Sequence, residues 1–315
     1  MKADEIKNVT VVGAGLMGSG IAQEFAAAGY PVTLHDASEA SFNIAIGRIK
    51  SNLILLNEFG LVTTEQLESI PAAIHTTADF QRAVANADLV VEAVVEDIDI
   101  KRTVFTELDK YCPERTILTS TTSTIKPETL ASATHRPDRV VVTHFGIPNY
   151  LIPLVEMARS PETSDETVNT VYQVLQNMGK RPIVMKKAMT GFIVNRLQMA
   201  MLREAMNLVG QDAVTPEDID IAVQNNFGLR LAISGPLEVF DMAGLNTLQS
   251  VYSYIMPELS NSTDIPAPIA EAVERGDFGL ATGKGLYDWT PESADELRLR
   301  VLGGLAEAAK RRQAS

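Results

Sequence analysis

Cysteine is almost missing from this chain. Of 315 residues only Cys112 is a cysteine, so no disulfide can form within the chain and no cysteine metal cluster is available. That usage fits a reducing, cytoplasmic setting, and no metal is expected. Long apolar runs are missing too, so a membrane-spanning helix is not expected. The opening residues MKADEIK lack the apolar core of a secretory signal, and no targeting address is expected. Positive charge is scarce: 27 Lys and Arg face 40 Asp and Glu, a net charge of −13. This balance argues against nucleic acid or an anionic membrane as a general partner. A small anionic ligand is not excluded, because a local patch can oppose the global sign. Internal repeats and low-complexity tracts are also absent.

What is present is an ordinary globular composition, 45% hydrophobic and 21% charged, long enough for two domains. The most informative stretch is residues 9–36. A β-branched run at 9–12 meets the turn Gly13-Ala14-Gly15-Leu16-Met17-Gly18, an alanine-rich helical pattern follows, and a second strand at 31–35 closes on Asp36. In such a strand–turn–helix, Gly13 permits the tight turn, Gly15 lets backbone approach a pyrophosphate, and Gly18 lets helix and strand pack closely. The helix start at Leu16 and Met17 offers N–H groups to phosphate. Asp36 stands where a carboxylate can accept both ribose hydroxyls and would repel a 2′-phosphate, which favours NAD over NADP. The motif is weak alone, but here it follows a strand, opens a helix and has its acid in place.

Periodicity predicts helices at 38–56, 63–69, 80–87, 100–111, 126–133 and 165–178, alternating with strands at 74–76, 88–95, 116–119, 140–143, 151–158 and 181–186. The result is a doubly wound parallel α/β domain of the Rossmann type over residues 1–187. From 188 to 315 only helices are expected: 191–209, 215–224, 235–255, 267–274 and 292–312. Polar residues stand just past four strand ends: Asp36, Glu96, the run Ser120-Thr121-Thr122-Ser123, and His144. Open parallel sheets bind ligands at that edge. Four loops therefore deliver functional groups to one crevice.

His144 and Glu156 form the candidate base. Glu156 lies in an apolar strand, where a carboxylate is costly without a partner. Paired with His144 it would fix the imidazole tautomer and stabilise its cation. The other ring nitrogen would then take a hydroxyl proton while hydride leaves for a nicotinamide, which is alcohol oxidation. A satisfied core histidine is the bland alternative.

The motifs GAGLMGSGIA, DLVVEAVVED followed by Lys101, STTST, PLVEM, GFIVNRL, SGPLEVFDMAGL and TGKGLYDW occur in one order along the chain. In these the chain resembles the L-3-hydroxyacyl-CoA dehydrogenase family over nearly its whole length. The resemblance implies that His144 is the catalytic base and Glu156 its orienting acid. It implies that Ser123 bonds the substrate oxygen, that Asn195 completes the pocket, and that Glu96 and Lys101 contact the nicotinamide side of NAD. It also implies a homodimer built through the helical domain. Other readings stay open: Ser123 as a helix cap, Asn195 as an interhelix bond, and Lys101 as a solvated surface lysine. The stripe Met199, Met201, Leu202, Met206 and Leu208 reads as core or dimer interface.

Two departures bear on the substrate, which is expected to be an acyl-CoA or a small free hydroxy acid. Family members usually place an asparagine where this chain has Ile147, in His144-Phe145-Gly146-Ile147-Pro148-Asn149, and whether Asn149 substitutes is open. Residues 57–66, where acyl-CoA members often carry lysines near the CoA nucleotide, are acidic and lack lysine here. Both shift weight toward branches that act on small free acids: L-gulonate-like, carnitine-like and pyridine-carboxylate dehydrogenases. A non-catalytic NAD-binding protein and a dehydrogenase with a lysine base are the competing classes. The second would need a lysine where Asn195-Arg196 stand.

Overall fold

The computed structural model describes residues 1–314, in two compact units. One is Met1–Ile193 together with the chain from Arg300 onward; the other is Val194–Leu299. In chain order the first unit holds β1 (Val9–Val12), α1 (Leu16–Ala27), β2 (Val32–His35), α2 (Glu39–Glu58), α3 (Gln66–Ala72) and β3 (Ile74–Thr77). It continues with α4 (Phe80–Val84), β4 (Leu89–Glu92), α5 (Ile98–Tyr111), β5 (Ile117–Ser120) and α6 (Pro127–Ala131). It then adds β6 (Val140–Phe145), β7 (Leu154–Arg159), α7 (Asp165–Asn177) and β8 (Arg181–Val184).

The eight strands form one sheet in the order β3-β2-β1-β4-β5-β6-β7-β8. Pairing is parallel except between β6 and β7. Every residue of β1, β4 and β5 is buried, because helices cover both faces of a doubly wound sheet. Side chains alternate between two cores. Val11, Val91 and Ile117 face one shared with α1, α2 and α7, including Ile21, Phe25, Leu53 and Val174. Val12, Val90 and Leu118 face the other, with Phe105 and Leu108 of α5 and Leu130 of α6. α5 is set at its start by the Asp97 carboxylate, which accepts from the N–H groups of Asp99 and Ile100 at 3.0 and 2.9 Å. Its inward stripe is Lys101, Phe105 and Leu108, all buried.

The parallel sheet expected from the sequence is interrupted at one pair of strands. β6 and β7 are joined by residues 146–153 without a helix and run antiparallel. The predicted helix at 80–87 stops at Val84.

The second unit holds α8 (Val194–Gly210), α9 (Pro216–Asn225), α10 (Phe227–Leu231), α11 (Pro236–Ala243), α12 (Leu245–Ile255) and α13 (Ala267–Glu274). The single helix expected at 235–255 is two, because Gly244 takes φ +91 and breaks it between α11 and α12. Helix α10 has no counterpart in the sequence pattern. Among the described residues of this unit the buried apolar side chains are only Met206, Ala272 and Ala294. The final helix, α14 (Pro291–Ala314), starts in the second unit and ends in the first.

Phe105 is fully buried at the centre of the second core. Phe105→Ala is expected to cost about 3–5 kcal/mol, read as a lower denaturant midpoint. An unchanged midpoint would mean that this face of the sheet does not carry the unit's stability.

Candidate active site

The three glycines of the first turn have separable roles. Gly13 has φ +107, and a Cβ there would lie 2.6 Å from the Ala93 carbonyl oxygen beyond β4. A Cβ at Gly18 would lie 1.7 Å from the Gly13 carbonyl, so only glycine closes the turn. Gly15 is the N-cap of α1, and nothing stands within 4 Å of the position its Cβ would take. That open space precedes the free N–H groups of the helix start at Leu16 and Met17. Leu16 is exposed and Met17 half-buried. Asp36 ends β2 beside this loop: one carboxylate oxygen accepts from Ala14 N–H at 2.8 Å and the other from Ser38 N–H at 3.0 Å. An open glycine cradle at a helix start, with a carboxylate beside it, fits the pyrophosphate and ribose of NAD.

A second cluster stands at the ends of β4 and β5. One oxygen of Glu96 accepts from the Thr122 hydroxyl (2.6 Å), the Thr124 hydroxyl (2.8 Å), and the N–H groups of Ser123 (2.9 Å) and Thr124 (3.0 Å). Burial alone would raise the Glu96 carboxyl, but these bonds and the Lys101 charge bring it below the usual carboxylate range. Lys101 is buried rather than solvated. Its ammonium pairs with Glu92 at 2.6 Å and Glu96 at 3.5 Å and donates to the Val94 carbonyl at 3.3 Å. Glu92, fully buried, also accepts from Ser120 Oγ at 2.5 Å and Val94 N–H at 2.8 Å. Sequence reasoning missed Glu92, although it is a lone acid in an apolar strand just as Glu156 is.

The third cluster is the candidate base. The β6–β7 register sets His144 directly opposite Glu156, so the two side chains share one face of the sheet. His144 Nδ1 lies 2.8 Å from Glu156 Oε2, and Nε2 lies 3.0 Å from Ser123 Oγ. The other oxygen of Glu156 accepts from Ile193 N–H at 2.8 Å, and its side chain is 1% exposed. Phe192 packs its ring on the imidazole with centroids 5.3 Å apart. Its φ of +48 is a costly conformation for a residue with a Cβ, held here by burial. Phe192 was not singled out from sequence, though it lies in the GFIVNRL motif.

Ser123, His144 and Glu156 are thus brought into one hydrogen-bonded chain, and Glu96 holds the turn that carries Ser123. Ser123 is not a helix cap, since Lys126 takes the N-cap position of α6. Asn195 belongs to the second unit, half-buried in the first turn of α8. Asn149 does not stand in for the family asparagine on the reacting side. It is buried against α1, where its oxygen fills the space a Cβ on Gly20 would need and its Nδ2 bonds the Met17 carbonyl at 3.4 Å. Ile147 is 65% exposed.

The glycine geometry separates two substitutions. Gly18→Ala is expected to lower stability and yield, whereas Gly15→Ala should leave the melting curve nearly unchanged and weaken NAD binding by tenfold or more. Equal loss of stability in both would contradict the open space at Gly15.

Residues 8–188 match the model of the 3-hydroxyacyl-CoA dehydrogenase NAD binding domain, and residues 191–289 that of the 3-hydroxyacyl-CoA dehydrogenase C-terminal domain. A 5-formyl-3-hydroxy-2-methylpyridine 4-carboxylate 5-dehydrogenase from Mesorhizobium japonicum is 33% identical, covering 93% of this chain and 94% of its own. A crystal structure of such a 5-dehydrogenase, described as an NAD+ dependent dismutase, superposes with a TM-score of 0.89 at 33% identity and covers 98% of both chains. The (S)-3-hydroxybutyryl-CoA dehydrogenase of Ralstonia eutropha superposes with a TM-score of 0.75 at 32% identity, covering 91% of this chain and all of its own. With a glycine cradle built for NAD and both domain models matched in order, the chain belongs to the 3-hydroxyacyl-CoA dehydrogenase family and is an NAD-dependent oxidoreductase acting on a hydroxyl group.

Proposed function

We propose that this enzyme oxidises the hydroxyl of a small free hydroxy acid, with His144 as base, Glu156 as its orienting acid and Ser123 as the hydroxyl that holds the substrate oxygen. The carrying observation is the continuous chain Ser123 Oγ, His144 Nε2, His144 Nδ1, Glu156 Oε2, with links of 3.0 and 2.8 Å. With Nδ1–H donating to Glu156, Nε2 is left as the acceptor. A substrate hydroxyl beside Ser123 gives its proton to Nε2, and Glu156 stabilises the imidazolium. NAD, when bound, supplies the acceptor for the hydride on the same carbon, so one hydride and one proton leave the H–C–O–H unit and a carbonyl remains. A hydrated aldehyde offers the same unit. Asp36, Gly13, Gly15, Leu16, Met17 and Gly18 would hold the cofactor. Glu96 and Lys101 would shape the edge of the site next to the nicotinamide, with Glu96 fixing the Ser123 turn. Asn195 would contribute to substrate placement.

The choice of a free acid over a thioester rests on the whole-length likeness to the pyridine-carboxylate dehydrogenase and on Ile147 and the acidic 57–66 segment. A cytoplasmic setting fits the single, buried cysteine. No helix among the described residues is long and apolar enough to cross a membrane.

The helical unit calls for a second copy of the chain. Ile233, Leu237 and Met242 are more than four-fifths exposed and Tyr254 is 79% exposed, while few apolar side chains of this unit are buried. Large apolar side chains left this exposed point to an interface. Sedimentation should show a homodimer, and Met242→Glu with Leu237→Glu should shift it to monomer. A wild-type monomer would overturn this assignment.

His144→Gln is expected to keep NAD binding and lower turnover by about 10²–10⁴-fold. Unchanged turnover would remove His144 from the chemistry. Substrate class is read from NADH formation at alkaline pH with L-3-hydroxybutyryl-CoA beside L-3-hydroxybutyrate, L-carnitine, L-gulonate and hydroxymethyl-pyridine carboxylates. Higher kcat/KM with one of the free acids is the expected outcome. A tenfold preference for the thioester would overturn the free-acid reading while leaving the dyad in place.

A further inference from the structure

The loop between the two strands of the dyad is tied to the helix that opens at the glycine turn. Residues 146–153 run from the end of β6, next to His144, to the start of β7, which carries Glu156. The two ends of the loop pinch together, since a Cβ on Gly146 would lie 2.5 Å from Ile152. A cleft of about 470 Å3 opens between the loop and α2, walled by Glu24, Leu56, Tyr150, Leu151 and Lys180. The loop is therefore not backed by continuous packing, and its place depends on the few groups that bond it.

Most of those groups meet one face of α1. Met17, Gly20 and Glu24 follow one another at the i, i+3, i+7 spacing of a single helical stripe. Asn149 is seated on the first two: its Oδ1 would lie 2.1 Å from a Cβ on Gly20, and its Nδ2 donates to the Met17 carbonyl at 3.4 Å. Lys180, buried just ahead of β8, reaches the third. Its ammonium pairs with Glu24 and donates to the Asn149 carbonyl at 2.6 Å and the Ile152 carbonyl at 3.4 Å. A buried ammonium is costly, and a methionine would fill similar space without that cost. What the lysine adds is direction, because acceptors on both helix and loop fix its position. Helix α14 adds a further tie: Ala306 shares a core with Leu151, and Arg312 donates to the Leu151 carbonyl at 3.0 Å. The same helix comes close to the end of α2, where a Cβ at Gly303 would stand 3.4 Å from the Phe59 ring.

Hydride and proton leave one H–C–O–H unit, so the nicotinamide and His144 must meet the same carbon and its oxygen together. The start of α1 would place the cofactor, and β6 with the loop behind it places His144. We propose that Asn149 and Lys180 are positioning residues: by seating loop 146–153 on the Met17, Gly20 and Glu24 face of α1, they hold the dyad in register with the cofactor. This rests on the dyad reading above and adds what aligns the base with the hydride acceptor.

The rate of NADH formation in a single turnover, with NAD saturating and the preferred substrate of the panel above, reads this register. Gly20→Ala, which expels the Asn149 side chain, and Lys180→Met should each lower that rate about tenfold or more, as small misplacements do, while the Kd for NAD stays within about twofold of wild type. Asn149→Ala added to Gly20→Ala removes the clash and should bring the rate back to within about threefold of wild type. Phe105→Ala, which loosens the other core, should keep the wild-type rate in its folded fraction and so separates register from stability. Should Lys180→Met not fold because Glu24 is left unpaired, Lys180→Met with Glu24→Gln takes its place. Folded variants with a wild-type rate, a loss confined to NAD affinity, or a rate left unrepaired by Asn149→Ala overturns the positioning role. His144→Gln tests the base separately: a wild-type rate there removes the dyad reading, whereas a slow His144→Gln beside fast Gly20→Ala and Lys180→Met variants removes only the ties.

Discussion

The site depends on keeping one carboxylate ionised where water does not reach. Glu156 sits in the middle of an apolar strand with 1% of its side chain exposed, and an unpaired charge there would cost several kcal/mol. Donors that hold it include the imidazole of His144 from the neighbouring strand and, as a second, the Ile193 N–H from the turn that leaves the first unit. To supply the first donor, β7 must run antiparallel to β6 in a register that sets residue 156 opposite residue 144. To supply the second, the chain must leave the sheet through Gly191 and Phe192, whose positive φ values turn it back over the imidazole. The single reversal in an otherwise parallel arrangement and the strained turn thus answer the same electrostatic demand.

A similar demand operates three strands away in the sheet. Glu92 is as buried as Glu156, and Lys101 on the inward stripe of α5 neutralises it. Lys101 also leans toward Glu96 at 3.5 Å, so two carboxylates share one ammonium group. The surplus negative charge resides on Glu96, and four donors from the turn after β5 converge on it. Removing one partner of such a buried pair typically costs about 3–5 kcal/mol. The turn that carries Ser123 is therefore as firmly held as the strands that carry the dyad, which is what a hydrogen-bonded chain of fixed geometry requires.

The strand–turn–helix at residues 9–36 was legible because its chemistry is local: each glycine answers a contact within its own βα unit or the adjacent strand end. The crevice was legible in outline, because strand ends can be counted along the chain. The partner of His144 was a conditional inference, since only the pairing register decides whether two residues in successive strands face one another. Lys101 read as either a cofactor contact or a surface lysine, and its buried partner Glu92 went unremarked, because which face of α5 points inward follows from packing. In the second unit the break at Gly244 was hidden inside a run of good helical spacing. The expected helix at 292–312 is present, but its return to the first unit has no local signal, since it depends on Phe59 and Leu151, far away in sequence.

That return makes the first unit discontinuous along the chain. Ala306 completes a core begun by Ile21 and Leu53, and everything between residues 194 and 299 must be synthesised before it can do so. Domains generally fold as they leave the ribosome, N-terminal first, so the nucleotide-binding sheet can form while the apolar groove along α2 still faces water. During translation of the helical segment that groove is a sticky surface without its cover. The molecule can close it only after the whole helical segment has been made.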